Sequence, residues 1–146
     1  HYVVSEAKGL EGLRDELIEQ LQALAAMPAQ ERETVLLIVP QMLRDFLEFN
    51  DFLDEADAVL QELGMEGEFQ VASFHPDFQF ADTEPDDITN FTNRSPYPTL
   101  HLLREESIDR AVEAFPEAET IYETNMATME KLGVEGWTAL DVGPTP

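Results

Sequence analysis

The chain has 146 residues, with 31 Asp plus Glu against 8 Lys plus Arg and a formal net charge of -23. Nucleic acid and anionic membrane surfaces are held by a basic footprint, so both are excluded as partners, while a cationic partner, a cation or simple solubility fits the charge. Hydrophobic residues at 43% suffice for one core, and the absence of cysteine removes disulfides and thiol chemistry from the sequence as given.

A chain this long buries about 70% of its unfolded surface, as one domain does. Its longest strongly apolar run, Val35 to Val39, falls far short of the roughly 20 residues of a membrane span. No signal peptide is legible, and a soluble, cytoplasmic protein is the expectation. The sequence opens at His1 without Met, directly in strand-like residues, which suggests that a segment was removed upstream.

In chain order, His1 to Ser5 reads as a short strand rich in β-formers. Leu10, Leu13, Leu17, Leu21 and Leu24 recur at spacings of three and four and form the apolar stripe of a helix, which Pro28 ends. Thr34 to Val39 is a β-branched apolar run, expected to be a buried strand. Pro40 then opens a helix to about Leu63, whose apolar face carries Phe46, Phe49, Leu53, Ala56, Val59, Leu60 and Leu63. Within it, Asn50 and Asp51 are expected on the solvent side.

Glu68 to His75 reads as a third strand, with Phe69, Val71 and Ser73 on one side and Gln70, Ala72 and Phe74 on the other. From Asp77 to Pro98 no period persists, and so long a connection inside a compact domain is often functional. Thr99 to Arg104 reads as a fourth strand. A short helix follows on Ile108, Ala111, Val112 and Phe115. Pro116 then opens a last helix, with Ala118, Ile121, Tyr122, Met126 and Met129 facing inward and Gly133 closing it. The expected fold is a single α+β (or α/β) domain over residues 1–140. It has a small mixed sheet of about four strands with packed helices, as a two-layer sandwich, and a frayed tail at 141–146.

Chemistry is expected between Phe74 and Glu105. Two of the three His and two of the six Arg lie there, and Ile88 to Arg104 contains no acidic residue. If the third and fourth strands pair antiparallel, His75 and His101 come to the same end of the sheet. With Asp77 or Glu105 they would make a two-His, one-carboxylate set for a divalent metal, although the spacing matches no established metal motif. The alternative is acid-base work by the histidines. Arg94 and Arg104 would then clamp a carboxylate or phosphate, and Asn90, Asn93, Ser95 and Tyr97 would line the ligand site. The bland counterparts are structural histidines, arginines paired with the chain's many carboxylates and asparagines capping turns. A serine hydrolase has less support, since no Gly-x-Ser-x-Gly elbow occurs. The aromatics Phe74, Phe78, Phe80, Phe91 and Tyr97 either anchor the loop or wall a pocket.

Phe46-Leu-Glu-Phe-Asn-Asp-Phe-Leu53, Val71-Ala-Ser-Phe-His-Pro-Asp-Phe-Gln-Phe80 and Thr92-Asn-Arg-Ser-Pro-Tyr-Pro-Thr-Leu-His-Leu-Leu-Arg-Glu105 together resemble the bacterial domain of unknown function 1415 family. The resemblance runs from Tyr2 to about Leu140. It implies a bacterial, cytoplasmic setting and a preceding segment with a Cys next to Pro, and it carries no activity. The function expected from the residues is a small-molecule-binding domain, with enzymatic action open. The alternative is a non-enzymatic acidic protein that binds a basic protein partner.

Overall fold

A computed structural model describes residues 1–115 and 117–142. Strand β1 (Tyr2–Val4) leads through helix α1 (Leu10–Ala26) to β2 (Val35–Ile38), helix α2 (Phe46–Glu62) and β3 (Phe69–Phe74). A 3-10 helix (Ile88–Asn93) interrupts the long connection to β4 (Thr99–Arg104), and α3 (Glu105–Ala114) and α4 (Ile121–Ala139) follow. The four strands form one mixed sheet in the order β1-β2-β4-β3. β1 and β2 are parallel, and β4 runs antiparallel to both of its neighbours.

Strand register decides which side chains share a face, because neighbours along a strand point to opposite sides. Val35, Leu37, Leu100, Leu102 and Phe69 face one way and are buried against Leu13, Leu17, Leu21 and Leu24 of α1 and Phe49, Ala56 and Val59 of α2. Each such side chain contributes about 1.5–3 kcal/mol by leaving water, so this layer holds the fold together. The other face shows two rows across the sheet, Tyr2-Leu36-His101-Ala72 and Val4-Ile38-Thr99-Phe74. Tyr2 and Val4 are exposed, and Leu36, Ile38 and Phe74 are only half-buried. The result is an α+β sandwich of two layers, whose second sheet face carries no comparable helical cover among the described residues.

Several local expectations change. Pro40 does not open α2. Residues 40–45 form a loop in which Leu43 takes a left-handed backbone, φ 59°. The helix starts behind Asp45, whose carboxylate accepts from the Leu47 and Glu48 N–H groups at 2.9 and 3.0 Å. A carboxylate there satisfies donors that a proline five residues upstream cannot reach. Asn50 and Asp51 are exposed, as expected. Gly133 breaks α4 with φ 66° but does not end it, since helix resumes to Ala139. Ile121 and Tyr122, expected to face inward, are exposed, while Met126 and Met129 are half-buried. The reason is that α4 packs on the 3-10 segment, through Trp137 on Phe91, and not on the sheet. Pro116 and residues 143–146 of the expected tail lie outside the described residues.

Candidate functional site

β3 and β4 pair antiparallel, Phe74 opposite Thr99 and Ala72 opposite His101, yet the two histidines part company. His75 continues the parity of Phe69, Val71 and Ser73 and turns toward the helices. Its ring is fully buried, with centroids 5.3 Å from Phe46 and 4.9 Å from Phe49. Nδ1 accepts the Asp77 N–H at 2.9 Å, and Nε2 lies 2.9 Å from the Leu43 carbonyl. An accepting Nδ1 places the proton on Nε2, which donates to that carbonyl. Both nitrogens are thus engaged by backbone. His101 lies on the opposite parity to the buried Leu100 and Leu102 and points to the uncovered face.

The expected metal set is therefore not brought together. Asp77 meets His75 through its backbone, and its carboxylate side is exposed. Glu105 follows Arg104, which pairs with Phe69 at the far end of the strands, and six residues of strand span roughly 17–20 Å. Among the described residues no group of three or more His, Asp or Glu is placed to hold a metal ion.

The other expected site residues divide by what their polar atoms touch. Arg104 presents one terminal nitrogen to the carbonyls of Leu24, Met27 and Arg32, each at 2.8 Å, and lies over Phe69. A cation there satisfies orphan carbonyls at the end of α1, so Arg104 is a helix cap and pairs with no carboxylate among the described residues. Asn90 is fully buried. Its Oδ1 accepts from the Phe80 N–H and the Thr83 hydroxyl, each at 2.9 Å, and its Nδ2 donates to the Glu84 carbonyl at 2.8 Å. It is the hub of the long loop. The Asn93 carbonyl receives the His75 N–H at 3.2 Å and ties that loop to β3. Arg94 donates from Nε to Phe78 and from Nη2 to Pro85, both backbone carbonyls, at 3.2 and 2.7 Å. The Ser95 and Thr99 hydroxyls donate to the Tyr97 carbonyl at 2.6 and 3.0 Å, closing the turn into β4. The Tyr97 ring stands at an edge with Pro40, Arg44 and Asp77.

His101 and its surroundings are open to a ligand. A depression of about 480 Å³ on the uncovered face is lined by Leu36, Ile38, Phe74, Ser95, Pro96, Thr99 and His101, with His1, Tyr2 and Thr34 at its margin. The volume falls in the range of small-molecule sites, about 300–1,000 Å³. The His101 ring packs 6.0 Å from Phe74 and makes no hydrogen bond to a described residue. Burial pushes its imidazole below the ordinary histidine range, and the N-terminal ammonium adds to the effect. A neutral imidazole offers one donor and one acceptor.

The model of the protein family of unknown function DUF1415 matches residues 1–139. The chain belongs to the DUF1415 family. No curated protein and no solved structure matches it. The family segment of this DUF1415 chain thus covers the whole sheet, the basin at His101 and all but the last three described residues. No helix among its described residues is long and apolar enough to cross a membrane.

Leu36 and Ile38 are basin residues of this DUF1415 domain that the sequence reading leaves in the core. The signal that finds them is the parity of Val35-Leu-Leu-Ile38. In a strand with helices on one side only, alternate apolar residues must face the other way.

Proposed function

We propose that this DUF1415 domain binds a mostly apolar small molecule on its uncovered sheet face. The ligand's body lies on Leu36, Ile38 and Phe74, and one hydrogen-bonding group meets the His101 ring. The observation that carries the reading is the half-buried imidazole with no hydrogen-bond partner among the described residues, set in a mostly apolar depression. Asn90, Arg94 and Arg104 spend polar atoms on backbone groups, whereas His101 makes no hydrogen bond to a described residue. Its tendency toward the neutral form favours an uncharged ligand such as an alcohol, phenol or amide, which also suits a chain of net charge -23. His101, nearer the centre of the basin than the marginal His1, is also suited to exchange a proton near neutral pH, so chemistry on the bound molecule would run through it. The bacterial, cytoplasmic setting that the family resemblance favours belongs to the same reading.

The test compares 1-naphthol with naphthalene by titration into wild type, His101→Phe and Ile38→Glu. Both compounds should bind wild type, and Ile38→Glu should abolish both. His101→Phe should weaken 1-naphthol alone, by roughly five- to ten-fold, the worth of one net hydrogen bond. Equal losses for the two compounds in His101→Phe would refute a hydrogen-bonding role.

A second reading, an acidic domain that docks a basic protein segment, draws on a groove of about 540 Å³ between Leu10 and α2. Its apolar floor is Met42, Leu43 and Phe52, and Glu48, Asp51 and Glu55 form its rim. Those three carboxylates share one face of α2. Charge reversal at Glu48 and Asp51 should abolish capture of a basic amphipathic peptide and leave 1-naphthol binding intact.

A further inference from the structure

We propose that Arg94 and Trp137 form a second site, for a planar carboxylate such as an aromatic acid, on the other side of the Ser95-Pro96 ridge from the His101 basin. This site is independent of the reading above. It is a hollow of about 280 Å³ walled by Pro76, Phe91, Pro96 and Trp137, with Arg94 as its charged group. Phe91 and Trp137 meet edge to face, ring centroids 5.3 Å apart at 66°. The Arg94 guanidinium carbon lies 4.2 Å from the Phe91 ring centroid.

Four properties of Arg94 point to an anion. A guanidinium has five N–H donors in a rigid fork, and the two hydrogen bonds to Phe78 and Pro85 account for Nε–H and one Nη2–H. The rest of the fork makes no hydrogen bond to a described residue. Those same two bonds, with the stacking on Phe91, fix the plane of the group before any ligand arrives, so little ordering is left to do on binding. In a chain with 31 carboxylates, Arg94 forms no ion pair among the described residues. Burial pushes its pKa down, and the field of Asp77 partly offsets this. A cation already partly stripped of water gains from a bidentate carboxylate.

The rest of the hollow limits what the anion is. Apolar and aromatic walls on a single cation suit one charge on a flat body. A phosphate dianion would face the field of the whole chain with one guanidinium to balance it. The Trp137 indole N–H makes no hydrogen bond to a described residue. Asp77 lines the neighbouring depression with Arg44 and Tyr97, and not this one.

Trp137 is the chain's one tryptophan, so its fluorescence reports the site directly. The experiment titrates benzoate, benzamide and inorganic phosphate into the full chain at low ionic strength. Benzoate should quench or shift the emission saturably in the millimolar range, with benzamide and phosphate at least ten-fold weaker. Arg94→Lys keeps the charge but loses the fork, and should weaken benzoate at least ten-fold. An unchanged far-UV spectrum and unchanged 1-naphthol binding show that the loop is intact in that variant. Asp77→Asn should tighten benzoate binding, and His101→Phe should leave it alone, which separates this site from the basin. The proposal is overturned if benzamide binds as well as benzoate, if Arg94→Lys binds benzoate like wild type, or if no saturable change appears.

Discussion

His75→Phe is the substitution that best separates structure from chemistry in this domain. Phenylalanine keeps a ring between Phe46 and Phe49 and removes both hydrogen bonds of the imidazole. The Leu43 carbonyl then loses its donor in a buried position, at a cost of about 1–3 kcal/mol. The Asp77 N–H, nearer solvent, adds about 0.5–1.5 kcal/mol. Leu43 also has a left-handed backbone, a conformation that costs a non-glycine residue roughly 1–2 kcal/mol and needs such a tether to persist. The expected loss is about 2–4 kcal/mol, a fall of roughly 6–12 °C in Tm for a chain this size. His75→Ala adds a cavity and should cost about 3–5 kcal/mol. His75→Asn, whose Oδ1 can still accept from Asp77, should recover part of the loss. Urea unfolding followed by far-UV circular dichroism measures all three. If His75→Phe keeps wild-type stability within about 0.5 kcal/mol yet loses 1-naphthol binding, His75 acts on the ligand and the structural assignment is wrong.

Three more outcomes follow from the structure. Arg104→Met keeps the aliphatic packing on Phe69 but leaves the end of α1 uncapped. It should destabilise the domain by about 2–3 kcal/mol, with Arg104→Lys in between, and hydrogen exchange should quicken at Leu24 to Met27 before elsewhere. His101 has a folded-state pKa below its unfolded value of about 6.5. As pH falls through that value the unfolded chain takes up a proton that the folded one resists, so this histidine's contribution to stability declines on the acid side and levels off below the folded pKa. The difference in Tm between wild type and His101→Gln should therefore be constant above about pH 7 and move in the variant's favour as pH falls below about 6.5, and a difference that does not vary with pH would show that His101 titrates alike in both states. Sodium chloride should raise Tm up to about 0.5 M, because screening relieves the repulsion of a -23 chain, whereas a fall would mean that the ion pairs of Arg14 with Glu55 and Glu62 outweigh that repulsion.

Much of the fold is legible in the residues because its signals are local. The leucine stripe of α1 and the bounds Thr99 to Arg104 of β4 follow from periodicity alone. The start of α2 is harder, because Pro40 and Asp45 are both acceptable openings and only the loop between them, bent at Leu43, decides. The site is less legible for a different reason. Histidine, arginine and asparagine in a long loop signal chemistry and loop stapling with the same letters. His75, Asn90, Arg94 and Arg104 all turn out to hold backbone carbonyls or N–H groups, from partners as far as 80 residues away that no local pattern names. Parity was available and discriminating. Ser73 and His75 share a side with Phe69, while Leu100 and Leu102 place His101 on the other, so a joint His75-His101 site was already disfavoured by the period of two.

The position of β4 has a consequence for how the chain comes together as it is made. β4 is the last strand in sequence but sits between β2 and β3. Until residues 99–104 arrive, β2 has only β1 beside it and β3 has no strand partner at all. Arg104, at the end of the same strand, also completes α1 from 80 residues away. A nascent chain that stops before Thr99 therefore carries a βαβ fragment with an open edge and an unpaired apolar strand, and the two halves close in a single late event. Such long-range closure is slow and leaves strand edges exposed in the interval. The acidic residues scattered along α1 and α2 then keep the waiting halves apart from one another's copies by repulsion. The excess of acidic over basic residues thus guards the unfinished chain as well as the finished surface.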